Sequence, residues 1–382
     1  AELRARLEAA AAEPGRAGDA GRQLQLCRRE LQEARQEAEE RARGLRRLES
    51  QAEWELEDYA AFIRHLTGSA AGPAPPRSLD LAGAEVLSLG NFGYLFLCQD
   101  RQAGGRAAVR VQGQRWLAAA VRHWAHGTDV GSHPHVAACL QVVMHREADG
   151  EIIRRLEAGF AAGALQGQRP SLFAESYVCV VQEFMDRGTL EDLADARLIT
   201  PECLSAVLRQ AAAGLAYMHG KQRTHDDVRP ENILLQQSRA SDCLVVKLAD
   251  FGLASRSAEV GRDRDLLAYA AWCAALDRPF QCCPGPEEQP TALADFAAAA
   301  PLEHGRQLWG QLAEVLRGLW QGSLAMVDVE AMGALQGHEV RVPHSAEAQL
   351  LERAKESLKK RSSLRWTRGK QGWLQQRWQA SD

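Results

Sequence analysis

The sequence predicts an α+β fold of two lobes, strand-rich first and helix-rich second, bracketed by helices at both ends. Three observations carry this expectation. Apolar runs with glycine breaks, LSLGNFGYLFLCQD (87–100) and RAAVRVQ (106–112), read as strands. Helical stretches dominate after residue 188. A seven-residue apolar spacing marks a long helix ahead of both lobes. With 382 residues, 46% hydrophobic and 25% charged, the chain can bury a large core in one or two domains.

Composition narrows the function classes. A net charge of −4 gives no global basic field for nucleic acid, and no run of about 18 apolar residues suggests a membrane span. The nine cysteines are scattered without C-x-x-C spacing, only Cys282 and Cys283 adjoining. Reduced thiols and a cytoplasmic location are the expectation. The chain starts at Ala1, which reads as a piece of a longer protein.

Residues 1–23 form an N-terminal segment, Ala-rich and charged, broken at PGRAGDAG (14–21). Over 24–66 apolar residues recur every seven: Leu24, Leu31, Ala38, Leu45, Ala52, Tyr59 and Leu66. Cys27, Ala34, Leu48 and Phe62 partly double them, while Arg41 and Glu55 interrupt the second register. This is an imperfect heptad seam, compatible with a second chain or with a helix docked on its own domain. At 1.5 Å per residue it would reach about 65 Å. TGSAAGPAPPRS (67–78) reads as a linker. The two lobes follow as 79–184 and 185–337, and further helices as 338–382.

Within the lobes, motifs fall in the order of a protein kinase. LGNFGYL (89–95) resembles a glycine-rich phosphate loop with Gly90 and Gly93 in place and Ser88 where the first glycine belongs. In AAVRV (107–111), Arg110 replaces the phosphate-bridging Lys, a change of geometry as well as length. The next helix, QRWLAAAVRHWAHG (114–127), holds no Glu or Asp, so Arg110 is expected to lack an ion-pair partner. An insertion (145–175) precedes YVCVVQEFMDRGTLEDL (177–193), which reads as the last small-lobe strand and hinge, with Gln182 as gatekeeper and Glu183 to Met185 as hinge.

THDDVRPENILL (224–235) nearly matches H-R-D-L-x-x-x-N. His225, Asp227 and Asn232 stand in place; Asp226 replaces the Arg that grips a phosphorylated activation loop, and Arg229 replaces a Lys. The spacing serves chemistry: Asp227 would accept a substrate proton while Asn232 holds a metal. KLADFGLA (247–254) supplies Asp250, Phe251 and Gly252. DLLAYAAWCAALDRPF (265–280) resembles the D-V-W-S-x-G helix, with Asp265 as its Asp. That leaves twelve residues between Gly252 and Asp265, too few for an ordinary activation and peptide-docking segment.

Together these residues resemble the PEAK family of Pragmin-related pseudokinases. The resemblance implies a bilobal protein-kinase-like fold whose flanking helices form a split helical dimerisation module, with Leu45, Leu48, Tyr59, Phe62 and Leu66 at one end and Trp366, Trp373, Leu374 and Trp378 at the other. It implies a noncatalytic scaffold, not an enzyme, in which His225, Asp226, Asp227, Asn232, Asp250, Phe251 and Gly252 are vestigial. Ser88, Gly90, Gly93, Arg110 and Gln182 would then line a degenerate pocket, with no cofactor and no functional metal site at Asn232 and Asp250. The implied partners are a second copy or a related family member, SH3 and SH2 adaptors of the Crk and Grb2 type, and 14-3-3 proteins, with effects on actin and cell motility. The alternatives are a weakly active protein kinase or a small-molecule phosphotransferase working through Asp227, Asn232 and Asp250.

Overall fold

The computed structural model describes residues 56–64, 79–90, 93–101, 104–113, 117–146, 176–238, 240–257, 260–278, 280, 287–298 and 306–363. Contacts divide the chain into two units, Ala1–Glu57 and Asp58–Asp382; both lobes lie in the second.

Helix α1 (56–64) is the described end of the heptad stretch. Five antiparallel strands make the small-lobe sheet: β1 (Leu79–Gly90), β2 (Gly93–Asp100), β3 (Gly105–Gly113), β4 (Cys139–Arg146) and β5 (Ser176–Glu183), in the order β1-β2-β3-β5-β4. Alternation sets the face: Phe96, Cys98 and Asp100 of β2 are buried and the residues between them are not, the period-two pattern of a strand. The glycine loop is a hairpin, Gly90 pairing with Gly93. Helix α2 (Leu117–Val130) lies between β3 and β4 in sequence and packs on β3, β4 and β5.

Phe62 of α1 is fully buried against Ala120 and Val121 of α2 and Val142, Val178 and Val180 of the sheet. Its ring meets that of Trp124 edge-on at 5.6 Å. This corrects part of the dimerisation reading: Phe62, and Tyr59 packed beside it, cover the molecule's own small lobe. Full burial of a Phe side chain contributes about 1.5–3 kcal/mol. Leu45, Leu48, Leu66, Trp366, Trp373, Leu374 and Trp378 lie outside the described residues, as do the linker and most of the 145–175 insertion.

The large lobe begins with α3 (Leu190–Asp195), where Thr189 and Asp192 form a reciprocal capping box. It is organised around α4 (Pro201–Gly220), started by Thr200, whose hydroxyl accepts from Cys203 N, and by Pro201 in the first turn. Leu204, Leu208, Ala211 and Leu215 of α4 are wholly buried. Gly214 is required: a Cβ there would stand 2.7 Å from the His135 carbonyl oxygen, so α4 can lie against the 133–136 turn only without a side chain. Short ribbons β6 (Arg223–Thr224), β7 (Ile233–Gln237), β8 (Leu244–Leu248) and β9 (Ser255–Arg256) follow, pairing as β6–β9 and β7–β8. Helices α5 (Gly261–Ala275), α6 (Gln289–Ala298), α7 (Arg306–Trp320), α8 (Met326–Ala331) and α9 (His344–Ser363) complete the lobe.

The large lobe does not close at Gly337. Val340 is buried and bridges Leu244, and Leu350 of α9 belongs to the large-lobe core. Helix α9 lies against both β1 and α3, so it touches both lobes. No helix among the described residues is long and apolar enough to cross a membrane.

Candidate functional site

The catalytic-loop residues sit between β6 and β7, and the D-F-G residues between β8 and β9. This places them together because β7 and β8 pair, Ile233 opposite Leu248. Asn232 donates from Nδ2 to the Asp227 carboxylate at 2.9 Å and to the Asp227 carbonyl at 2.8 Å. That bond fixes the Asp227 side chain and leaves Asn232 Oδ1 for another partner. His225 donates from Nε2 to the Ala249 carbonyl (3.0 Å) and accepts the Asp227 N–H at Nδ1 (3.3 Å). Both nitrogens are thereby satisfied, and β8 is tied to the loop.

Asp250 adopts left-handed backbone geometry at φ 67°, a conformation that costs a non-glycine residue energy and is held by its surroundings. Its Oδ2 lies 3.3 Å from Arg110 Nη2 of β3, and its Oδ1 3.5 Å from His123 Nε2 of α2. Arg110 therefore has a partner. The expectation that it lacks one fails because the acid comes from the D-F-G turn instead of α2. His123, thirteen residues after Arg110, occupies the α2 face where an acid was sought, with Nδ1 anchored on the Ala119 carbonyl at 2.8 Å. Burial pushes the Asp250 carboxyl up, but Arg110 and then His123 and His225 outweigh it and hold it well below the usual carboxylate range.

Phe251 is enclosed by three imidazoles. His126 stacks on it at 3.6 Å and 15°, His225 meets it edge-on at 5.2 Å, and His123 at 6.4 Å. Burial, then the neighbouring His225, His123 and Arg223, drive the His126 pKa well down, so it packs as a neutral ring.

Asp227 is shifted the other way. Burial pushes its carboxyl up, Arg229 pulls it back, and Asp250 adds to the rise. A raised carboxylate beside a fixed amide donor suits a general base. Arg229, two residues on, is chelated by Glu231 through Nε at 2.8 Å and through a second short contact. Gln182 is buried as a gatekeeper would be, its Nε2 making no hydrogen bond. Glu183 at the hinge takes Lys247 Nζ at 2.9 Å and bonds through its backbone N to Ala138 O at 3.0 Å. Ser88, Gly90 and Gly93 lie on the β1–β2 hairpin by register.

The acid that supports the catalytic loop is Asp263 and not Asp265. Asp263 is fully buried and accepts the His225 and Asp226 backbone N–H groups at 2.9 and 2.8 Å and His219 Nε2 at 2.8 Å; Asp265 is exposed. Helix α5 starts earlier than the motif alignment placed it, one turn closer to the D-F-G residues. Sequence reasoning also missed Arg223, which is 1% exposed and binds both Asp58 of α1 and Asp129 of α2. Nothing in the residue types of RTHDD pointed to partners 165 and 94 positions away.

Magnesium as part of a nucleotide substrate is a hard cation that takes oxygen ligands. Asn232 Oδ1 and Asp250 Oδ1 fit that donor type, the latter a buried oxygen with His123 Nε2 3.5 Å away. Among the described residues, no group of three or more His, Cys, Asp or Glu could hold a metal by itself.

The fold is of the bilobal protein-kinase type. The family model described as protein kinase domain matches residues 87–274. Similar curated proteins include the serine/threonine-protein kinase pak-2 of Caenorhabditis elegans, 35% identical over 97 residues covering 25% of this chain and 18% of that protein. Serine/threonine-protein kinase sid1 of Schizosaccharomyces pombe is 35% identical over 85 residues, 22% of this chain and 17% of that protein. Calcium-dependent protein kinase 4 of Plasmodium berghei is 25% identical over 193 residues, 50% of this chain and 32% of that protein. The chain thus spans less than a third of each of these relatives. These matches overturn the expectation of a chain that is not an enzyme: the relatives are named protein kinases. One of the observations behind that expectation, an orphaned Arg110, is also gone.

Proposed function

We propose that this chain transfers the terminal phosphoryl group of a nucleoside triphosphate to a hydroxyl, with Asp227 as the base. The observation that carries the reading is the grouping of Asp227, Asn232 and Asp250: Asp227 is held by Asn232 at 2.9 Å, and its carboxyl is raised by burial and by the neighbouring Asp250. Serine or threonine hydroxyls are the acceptors that the names of the matched relatives suggest. In the reaction, Asp227 orients the attacking hydroxyl and takes its proton, Asn232 keeps that carboxylate from rotating, and Arg110 offers fixed positive charge to the phosphates. The magnesium of the nucleotide, held by Asn232 and Asp250, would neutralise the triphosphate. Because Arg110 and His123 already flank Asp250, opening that cluster precedes nucleotide engagement, and turnover is slow.

The test is single-turnover transfer of labelled phosphate from Mg-ATP to a serine/threonine peptide library by the full chain. Asp227→Asn should reduce transfer roughly 10²- to 10⁴-fold. Transfer no greater than that of the variant sinks the reading.

A second role is favoured by α1 and α9, which sit on the lobes and leave Ile63 46% exposed. In it the domain doubles as a signalling scaffold of the PEAK kind, pairing with a second copy or a relative and engaging Crk- or Grb2-type adaptors and 14-3-3 proteins. Multi-angle light scattering of the full chain should give the dimer mass; a monomer at micromolar concentration removes the self-pairing part.

A further inference from the structure

Three side chains outside the phosphoryl-transfer machinery cluster around one carboxylate oxygen where the activation segment starts. Thr224 and Ser255 are register partners across the β6–β9 ribbon, with hydroxyl oxygens 2.9 Å apart. Both hydroxyls reach one oxygen of Asp226: Ser255 Oγ at 2.6 Å and Thr224 Oγ1 at 2.8 Å. Asp226 is held in left-handed geometry at φ 61° with its N–H on Asp263. The carboxylate is thus presented to β9, and it is satisfied there by hydroxyl protons.

Position 226 is where the motif has an Arg that attracts a phosphorylated segment. Here the charge is opposite, and so is the preferred state of the segment. A phosphate on Ser255 would set about −1.5 to −2 charges against the Asp226 carboxylate and remove the proton that now joins them; beside an acid such a group disrupts. The two arginines of the ribbon offer little compensation, since Arg223 and Arg256 are both engaged by Asp58 and Asp129. Ser255 itself is half-buried, on a strand of two residues. Such an element opens locally at small cost.

We propose that Ser255 is a phosphorylation site, and that its modification unlatches β9 from the catalytic loop. In the modifying step the Ser255 oxygen bonds to the γ-phosphorus of a nucleoside triphosphate and the bond to the β–γ bridging oxygen breaks. The hydroxyl proton passes to the carboxylate base of the modifying kinase, and a nucleoside diphosphate leaves. That kinase is a second copy of this chain or a separate serine kinase, so the inference stands apart from this chain's own turnover.

Two measurements test it. The first is mass spectrometry of the full chain after incubation with Mg-ATP alone and with a panel of serine kinases. Phosphate on Ser255 is expected. If it depends on Asp227 it assigns the site to self-modification, and if it persists in Asp227→Asn it assigns a separate enzyme; its absence in every incubation overturns the site. The second is hydrogen exchange over 222–226 and 254–257 in full chain carrying phosphoserine installed at position 255. Exchange should quicken roughly ten- to hundredfold, the equivalent of one lost hydrogen bond to a charged group. Ser255→Ala should have a smaller effect. Asp226→Arg should restore slow exchange to the phosphoserine form, and Asp226→Asn, which removes the charge but keeps an acceptor, should shrink the phosphate's effect. Unchanged exchange on phosphorylation, or a phosphate effect as large with Asn at position 226 as with Asp, overturns the latch.

Discussion

At the residue scale the site is governed by competing charges around two carboxylates in one cleft. Asp250 is held low by Arg110 and His123, while Asp227 is raised because burial outweighs the pull of Arg229. Separation of this kind assigns roles: the low group stays an anion for charge-bound work and the raised group is poised to exchange a proton. The sign gives a prediction. Asp227 must be unprotonated to act as base, so activity falls as pH drops through its raised value. Arg229 lowers that value, and Arg229→Met should therefore move the acid limb of the kcat/KM profile to higher pH. A limb that stays in place or moves down would remove Asp227 as the titrating base.

At the element scale, helix α5 supports the loop that carries Asp227. Burial pushes the Asp263 carboxyl up, but the His219 hydrogen bond and then the electrostatics and backbone N–H of His225 bring it net below its ordinary value. A carboxyl depressed on folding stabilises above its unfolded value of about 3.9 and loses that contribution as pH falls. Asp263→Asn should cost about 3–5 kcal/mol near neutral pH, as removal of one partner from a buried charge network does. The gap to wild type in urea denaturation should close as pH drops below roughly 4; a gap independent of pH would contradict the ionic role. This residue also shows where sequence reading stopped. The strand runs, the hinge, the catalytic loop and the D-F-G turn were legible because motif spacing is local and strands alternate. Asp263 was misplaced by two positions because Asp265 fits the motif pattern equally well, and only its backbone partners separate them. His123 escaped because the search on α2 was for an acid facing Arg110, whereas the structure lets the acid come from Asp250 and puts an imidazole beside it. The heptad seam named Phe62 correctly as apolar and packed, but periodicity alone does not say whether the covering surface is another chain or the molecule's own lobe.

At the scale of the whole molecule, helix α1 is joined to the catalytic loop by charged contacts between residues distant in sequence. Arg223 stands immediately before the catalytic loop, 1% exposed, and joins Asp58 of α1 and Asp129 of α2. Arg256 of β9 reaches the same two carboxylates. Four elements far apart in sequence thus meet at one charge cluster: an N-terminal helix, the small-lobe helix that carries His123, the catalytic loop and the activation segment. Two arginines against two aspartates balance in charge, so the cluster tolerates burial only while it is complete. Removal of Arg223 leaves two acids facing one cation, and removal of Asp58 leaves the reverse imbalance. Arg223→Met should therefore cost about 3–5 kcal/mol, whereas Arg223→Met with Asp58→Leu should cost less than the sum of the single changes. Contacting charges of this kind couple by about 0.5–3 kcal/mol, and a double-mutant cycle by chemical denaturation measures that coupling. The cluster also predicts reach: Asp58→Leu, although on α1, should quicken hydrogen exchange in the β6–β9 ribbon. Additive single costs together with unchanged exchange there would show that α1 merely covers the small lobe and has no hold on the catalytic loop.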